Sequence, residues 1–116
     1  MAKVLIIEQS AAVRALIATI VAGLGHDPLP LDPRAATEVP SADLVLVGPE
    51  LPEARRLLAV FRACHPGVPV VAVTGGPGEL ASLAELGPVL LLAKPFALDD
   101  LRKALTQALG GTGGLA

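Results

Sequence analysis

Near-continuous aliphatic runs alternate along the chain with stretches whose apolar residues recur every three or four positions. That alternation is the pattern of β-α-β units around a parallel sheet. Residues 3–7 (Lys-Val-Leu-Ile-Ile) read as a strand covered on both faces. Ser10 then caps a helix carrying Val13, Leu16, Ile17, Ile20, Val21 and Leu24 at helical spacing, and Gly23 and Gly25 close it. Residues 29–31 form at most a short edge strand, because Pro28 and Pro30 interrupt it. Residues 33–39 have room for only a turn or two of a second helix. The third strand is predicted over 43–47 and the third helix over 52–63, with Leu57, Leu58 and Phe61 inward and Arg55, Arg56 and Arg62 in water. A fourth strand (68–73), a fourth helix (79–86), a fifth strand (89–93) and a last helix (98–109) complete the pattern. Leu101, Leu105 and Leu109 share one stripe of that last helix.

Five strands and five helices in alternation predict a flavodoxin-like α/β fold, a doubly wound five-stranded parallel sheet of order 2-1-3-4-5 with helices on both faces. One domain over residues 1–109 and a flexible Gly-rich tail over 110–116 account for the chain. In such a sheet the ligand site lies at the carboxyl ends of strands 1 and 3, so the residues just beyond those strands decide the function.

Composition removes several alternatives. Nine basic and 11 acidic residues leave a net charge of −2, without the clustered cations that direct nucleic-acid or anionic-membrane binding requires. Two Phe and no Trp or Tyr leave little for base stacking. Hydrophobic residues make up 53% of the chain, yet no apolar run approaches the ~20 residues a bilayer needs. The start lacks a signal-peptide pattern, so a cytoplasmic location is expected. Cys64, alone, forms no internal disulfide and is expected to be a semi-buried helix residue.

The strand ends resemble the receiver domains of bacterial two-component response regulators, over residues 3 to about 109. Ala93-Lys94-Pro95-Phe96 after the fifth strand carries most of the likeness, followed by Val70-Val71-Ala72-Val73-Thr74-Gly75 and by Asp43-Leu44-Val45-Leu46-Val47 with Leu51-Pro52. The resemblance implies two acidic residues after strand one that bind Mg²⁺, and an aspartate ending strand three that accepts a phosphoryl group. Here the acidic pair is Glu8-Gln9 and the acceptor position is Gly48, which has no side chain. Leu91 stands where an aromatic is usual, and only Thr74 and Lys94 match the pattern. The vestigial phosphorylation pocket is thus Glu8, Gln9, Gly48, Thr74 and Lys94.

Three carboxylates around one lysine would give a pocket of net charge −2, which invites a divalent cation. With Glu8 and Lys94 alone the charge is zero, a poor Mg²⁺ site, and no metal or cofactor is expected. The two should neutralise each other, contributing about 1 kcal/mol if partly exposed. Compared with the resembled family, the loop into the third helix is cut to Glu53-Ala54, and the span from Thr74 to Lys94 is about two residues short, in the region that moves on switching.

Other candidate sites carry less. Gly75-Gly76-Pro77-Gly78 lacks the ending of a phosphate-binding loop and reads as a plain loop. His26 and His65 sit at helix ends, where they answer the helix dipole. Glu50 reads as a solvated rim carboxylate. No catalytic constellation has workable spacing, so an enzyme is not expected. The expectation is a phosphorylation-independent pseudo-receiver that acts by protein–protein interaction, binding a partner or a second copy through the face of the fourth helix, fifth strand and fifth helix. Two alternatives are a small-molecule sensor using the space at Gly48, and a receiver that accepts phosphate on another residue such as Glu50.

Overall fold

The computed structural model describes residues 2–75 and 89–113. Five parallel strands, β1 (Lys3–Ile7), β2 (Asp27–Leu31), β3 (Leu44–Val47), β4 (Val70–Thr74) and β5 (Leu90–Ala93), form one sheet of order β2-β1-β3-β4-β5. This is the flavodoxin-like order read from the sequence. Three helices lie among the described residues: α1 (Ala11–Gly23), α2 (Pro52–Cys64) and α3 (Leu98–Gly113).

The central strands are aliphatic because both of their faces are covered. In β1, Val4 and Ile6 pack with Ile17 and Val21 of α1 and Leu101 and Leu105 of α3, whereas Leu5 and Ile7 pack with Leu57, Leu58 and Phe61 of α2. Leu44, Leu46, Val71 and Val73 join the first cluster, and Val45, Val47, Val70 and Ala72 the second. This alternation is the two-residue period of a strand. α1 and α3 therefore cover one face and α2 the other. Burying each large aliphatic side chain stabilises the fold by roughly 1.5–3 kcal/mol before entropy is counted.

Local chemistry sets the element boundaries. Ser10 Oγ accepts the Val13 N–H at 3.3 Å and caps α1, and Gly25 follows its end at φ 89°. α2 has no side-chain cap, but begins on Pro52, whose missing N–H costs nothing there, with Glu53 in its first turn. Asp100 Oδ2 accepts the Ala97 N–H at 2.9 Å and ties down the entry to α3. In β2, the Asp27 N–H bonds to Ala2 and the Leu31 carbonyl accepts from Glu8, so the odd positions face β1. Pro28 and Pro30 thus turn outward, and the free edge lacks their two N–H donors.

Several expectations need correction. Residues 33–39 make a turn rather than a helix: Asp32 O takes the N–H groups of Ala35 and Ala36, and Asp32 Oδ1 takes that of Arg34. One side-chain-closed turn competes with a helix too short to repay its nucleation. α3 continues past Leu109 to Gly113, so residues 110–113, expected to be tail, are helical. Cys64 is exposed, not semi-buried. Arg55 and Arg62 are half-buried rather than fully solvated, and Leu16, despite its helical spacing, is 55% exposed. The fourth predicted helix (79–86) and residues 76–78 of the glycine loop lie outside the described residues. No helix among the described residues is long and apolar enough to cross a membrane.

Candidate functional site

Three strand ends build the site. Glu8 follows β1, Gly48 follows β3, and Lys94 follows β5 with a cis peptide to Pro95. β1 and β3 run in register to Ile7 and Val47, and the Gly48 N–H bonds to the Ile7 carbonyl at 2.8 Å. Glu8 and Gly48 are therefore neighbours. β4 and β5 end together at Thr74 and Ala93, and the Lys94 N–H bonds to the Thr74 carbonyl at 2.8 Å. That backbone bond fixes where the lysine side chain leaves the sheet.

Glu8 is 2% exposed. Its Oε2 accepts the Ser10 N–H at 2.8 Å, and its Oε1 lies 3.7 Å from Lys94 Nζ. The expected Glu8–Lys94 pairing exists, at a length beyond a hydrogen bond. Thr74 is buried, and its backbone carbonyl anchors Lys94. Gln9 is half-buried, and its main-chain carbonyl receives Arg34 Nη2 at 2.9 Å. Arg14 Nη1 likewise bonds the Glu8 carbonyl at 2.8 Å, so two arginines hold the β1–α1 loop by its backbone.

Glu50 corrects the sequence reading. Its carboxylate is not a solvated rim group: Lys94 Nζ donates to its Oε1 at 2.9 Å, and the Glu50 side chain is only 22% exposed. A Cβ built on Gly48 would stand 2.6 Å from Glu8 Oε1 and 3.0 Å from Glu50 Oε2. The Glu50 carboxylate thus reaches the space that a side chain at position 48 would enter. Arg55 of α2 positions it, with Nη1 donating to the Pro49 carbonyl at 2.7 Å and more weakly to that of Glu50 at 3.4 Å.

The charge of the pocket is therefore −1, from Glu8, Glu50 and Lys94, and not zero. The donor set that the resemblance implies for Mg²⁺ does not fit, since Gln9 is neutral and Gly48 offers no side chain. What remains are Glu8 Oε1 and Glu50 Oε2, both buried and both without a hydrogen-bond partner among the described residues. Buried anionic oxygens in that state are costly.

The histidines have structural contacts. His26 Nδ1 accepts the Ala2 N–H at 3.2 Å, and the His65 ring lies 4.9 Å from that of Phe61 at the end of α2.

No protein-family model matches the sequence, and no curated protein matches it. Solved structures do. NtrX from Brucella abortus, in complex with ADP, is 29% identical at a TM-score of 0.81 over 98% of this chain, which spans 27% of that protein. The receiver domain of the same protein is 26% identical at a TM-score of 0.74, covering 91% of this chain and 97% of that one. A CheY-like response regulator receiver domain protein from Methanospirillum hungatei matches at a TM-score of 0.81 and 21% identity, covering 98% of each chain. The chain has the receiver-domain fold of two-component signalling proteins.

Proposed function

We propose that this chain is a pseudo-receiver, a receiver-fold module that acts in bacterial signalling through protein contacts and without accepting phosphate. One observation supports the reading: beside Gly48, the residue at the position where the resemblance implies an acceptor, the Glu50 carboxylate reaches into the space a side chain would enter and holds Lys94. The lysine that would meet a phosphoryl group already has an internal anion. Nothing in this arrangement calls for catalysis. β5 and α3 supply the docking face, where Leu91 is 48% exposed on the edge strand.

The sensor alternative loses ground, because Glu50 takes up room that a small molecule would need. The phosphate-accepting alternative gains one point, since Glu50 is in the pocket after all. Its Oε1 is engaged by Lys94, however, and its Oε2 faces a second carboxylate, which would repel an incoming phosphate.

Beryllofluoride, a phosphoryl mimic, tests the reading. With Mg²⁺ already present, adding it should leave the amide NMR spectrum unchanged. New shifts at residues 8, 48, 50, 74 and 94 would overturn the proposal.

A further inference from the structure

We infer that the chain holds a second site, a cleft at the amino ends of β4 and β5 that takes a small organic monocarboxylate with a compact apolar body. It lies at the opposite end of the sheet from the Glu8–Lys94 pocket and does not depend on how that pocket is read.

The fold makes the cleft. Val89 packs on the α2 side of the sheet and Leu90 on the α3 side, so β5 begins between the two layers. Arg62, in the last turn of α2, and Gln107, in the second half of α3, line the space under that beginning, together with Gly67 and Val70. The space measures about 380 Å³, within the ~300–1,000 Å³ typical of small-molecule sites. Its wall between α2 and β4 is braced by backbone hydrogen bonds. The His65 N–H donates to the Phe61 carbonyl at 2.8 Å, and the Val45 N–H donates to the Pro69 carbonyl at 3.1 Å. A wall already in place lets a ligand bind at little ordering cost.

The chemistry of the lining selects the ligand. Val70, Val89 and Leu90 offer aliphatic surface, and Arg62 is the charged residue among them. Burial holds its guanidinium below the ordinary arginine pKa, which marks a cation partly stripped of water. A guanidinium carries five N–H donors in a planar fork. It can therefore keep a contact within the chain and still present donors to a carboxylate. Gln107 adds an amide donor from α3. A dianion would bring more charge than one guanidinium offsets in an apolar cleft, so a monocarboxylate fits best.

Sodium benzoate and its neutral counterpart benzyl alcohol serve as probes, titrated into the full chain at constant ionic strength and followed by amide NMR. Benzoate should shift residues 62, 67, 70, 90 and 107 saturably, at the roughly millimolar level expected of so small a ligand, and leave residues 8, 48 and 94 in place. Benzyl alcohol should bind about tenfold more weakly, because it brings no charge to the guanidinium. Arg62→Gln should weaken benzoate by about the same tenfold and leave benzyl alcohol unchanged. Should that variant fail to fold, the two probes on wild type decide alone. No saturable shift, equal binding of the two probes to wild type, undiminished benzoate binding by folded Arg62→Gln, or shifts centred elsewhere would each overturn the inference.

Discussion

Replacing Gly48 with alanine adds one methyl group at the centre of the site, and the structure sets the sign of its effect. Two terms oppose each other. The Gly48 backbone lies outside the left-handed region, so alanine suits its conformation and would stabilise by about 0.4–1 kcal/mol through a less flexible unfolded chain. Against this, the new Cβ would stand 2.6 Å from Glu8 Oε1 and 3.0 Å from Glu50 Oε2. The Glu8 carboxylate has little room to retreat, being buried and held by the Ser10 N–H. Overpacking of this kind costs about 1–3 kcal/mol. The balance is a net loss near 1 kcal/mol, or a fall in melting temperature of about 4–8 °C. Gly67→Ala is the control, since it has nothing within 4 Å of its Cβ position and no positive φ. It should hold or raise the melting temperature. Differential scanning calorimetry of the two variants decides. Equal effects, or a Gly48→Ala protein as stable as wild type, would refute the placement of the two carboxylates against Gly48.

Leu91→Glu places a charge on the proposed docking edge and should abolish partner or self-association in sedimentation experiments while leaving the fold intact, because the side chain is 48% exposed. Replacing Pro28 and Pro30 with valine restores two outward N–H donors on the free edge of β2 and should raise light scattering at high protein concentration. Hydrogen bonds from Arg102 and then Lys103 hold the Asp99 carboxyl below its ordinary pKa of 3.8. A depressed folded-state value means that its small stabilising contribution is present above the ordinary carboxylate range and is lost as pH falls through the lowered value. NMR titration of Asp99 should show that low midpoint, and Arg102→Ala with Lys103→Ala should return it toward 3.8.

The parts of the fold legible in sequence were those that burial dictates. β1, β3 and β4 read as aliphatic runs because both faces of each are covered, and α2 read correctly because Leu57, Leu58 and Phe61 face one way. The turn at 33–39 did not read as one, since Asp32 closes it by local hydrogen bonds that leave no periodic trace. Within the site, Glu8, Gly48 and Lys94 are legible through the resemblance to receiver domains, and the rule that the ends of strands one and three carry the chemistry points to the first two. Glu50 was seen, but its role was missed. A glycine leaves space, and an anionic side chain two positions on can take it; that is the only signal the sequence offers. Arg55 was missed for another reason: it holds the backbone carbonyls of Pro49 and Glu50, and no side-chain pattern reveals a carbonyl.

The chain has the receiver fold, and in the reading we propose its phosphorylation pocket is rebuilt. Glu50 pairs with Lys94, Arg55 holds the loop that carries Glu50, and the β1–α1 loop is fixed by two arginines through its carbonyls. Such a pocket offers no side chain at position 48 to attack phosphorus.

Intact-protein mass spectrometry after incubation with Mg²⁺ and acetyl phosphate tests this most directly. The account predicts an unchanged mass. A gain of one phosphoryl group, mapped to Glu50 or to any other residue of the pocket, would contradict it.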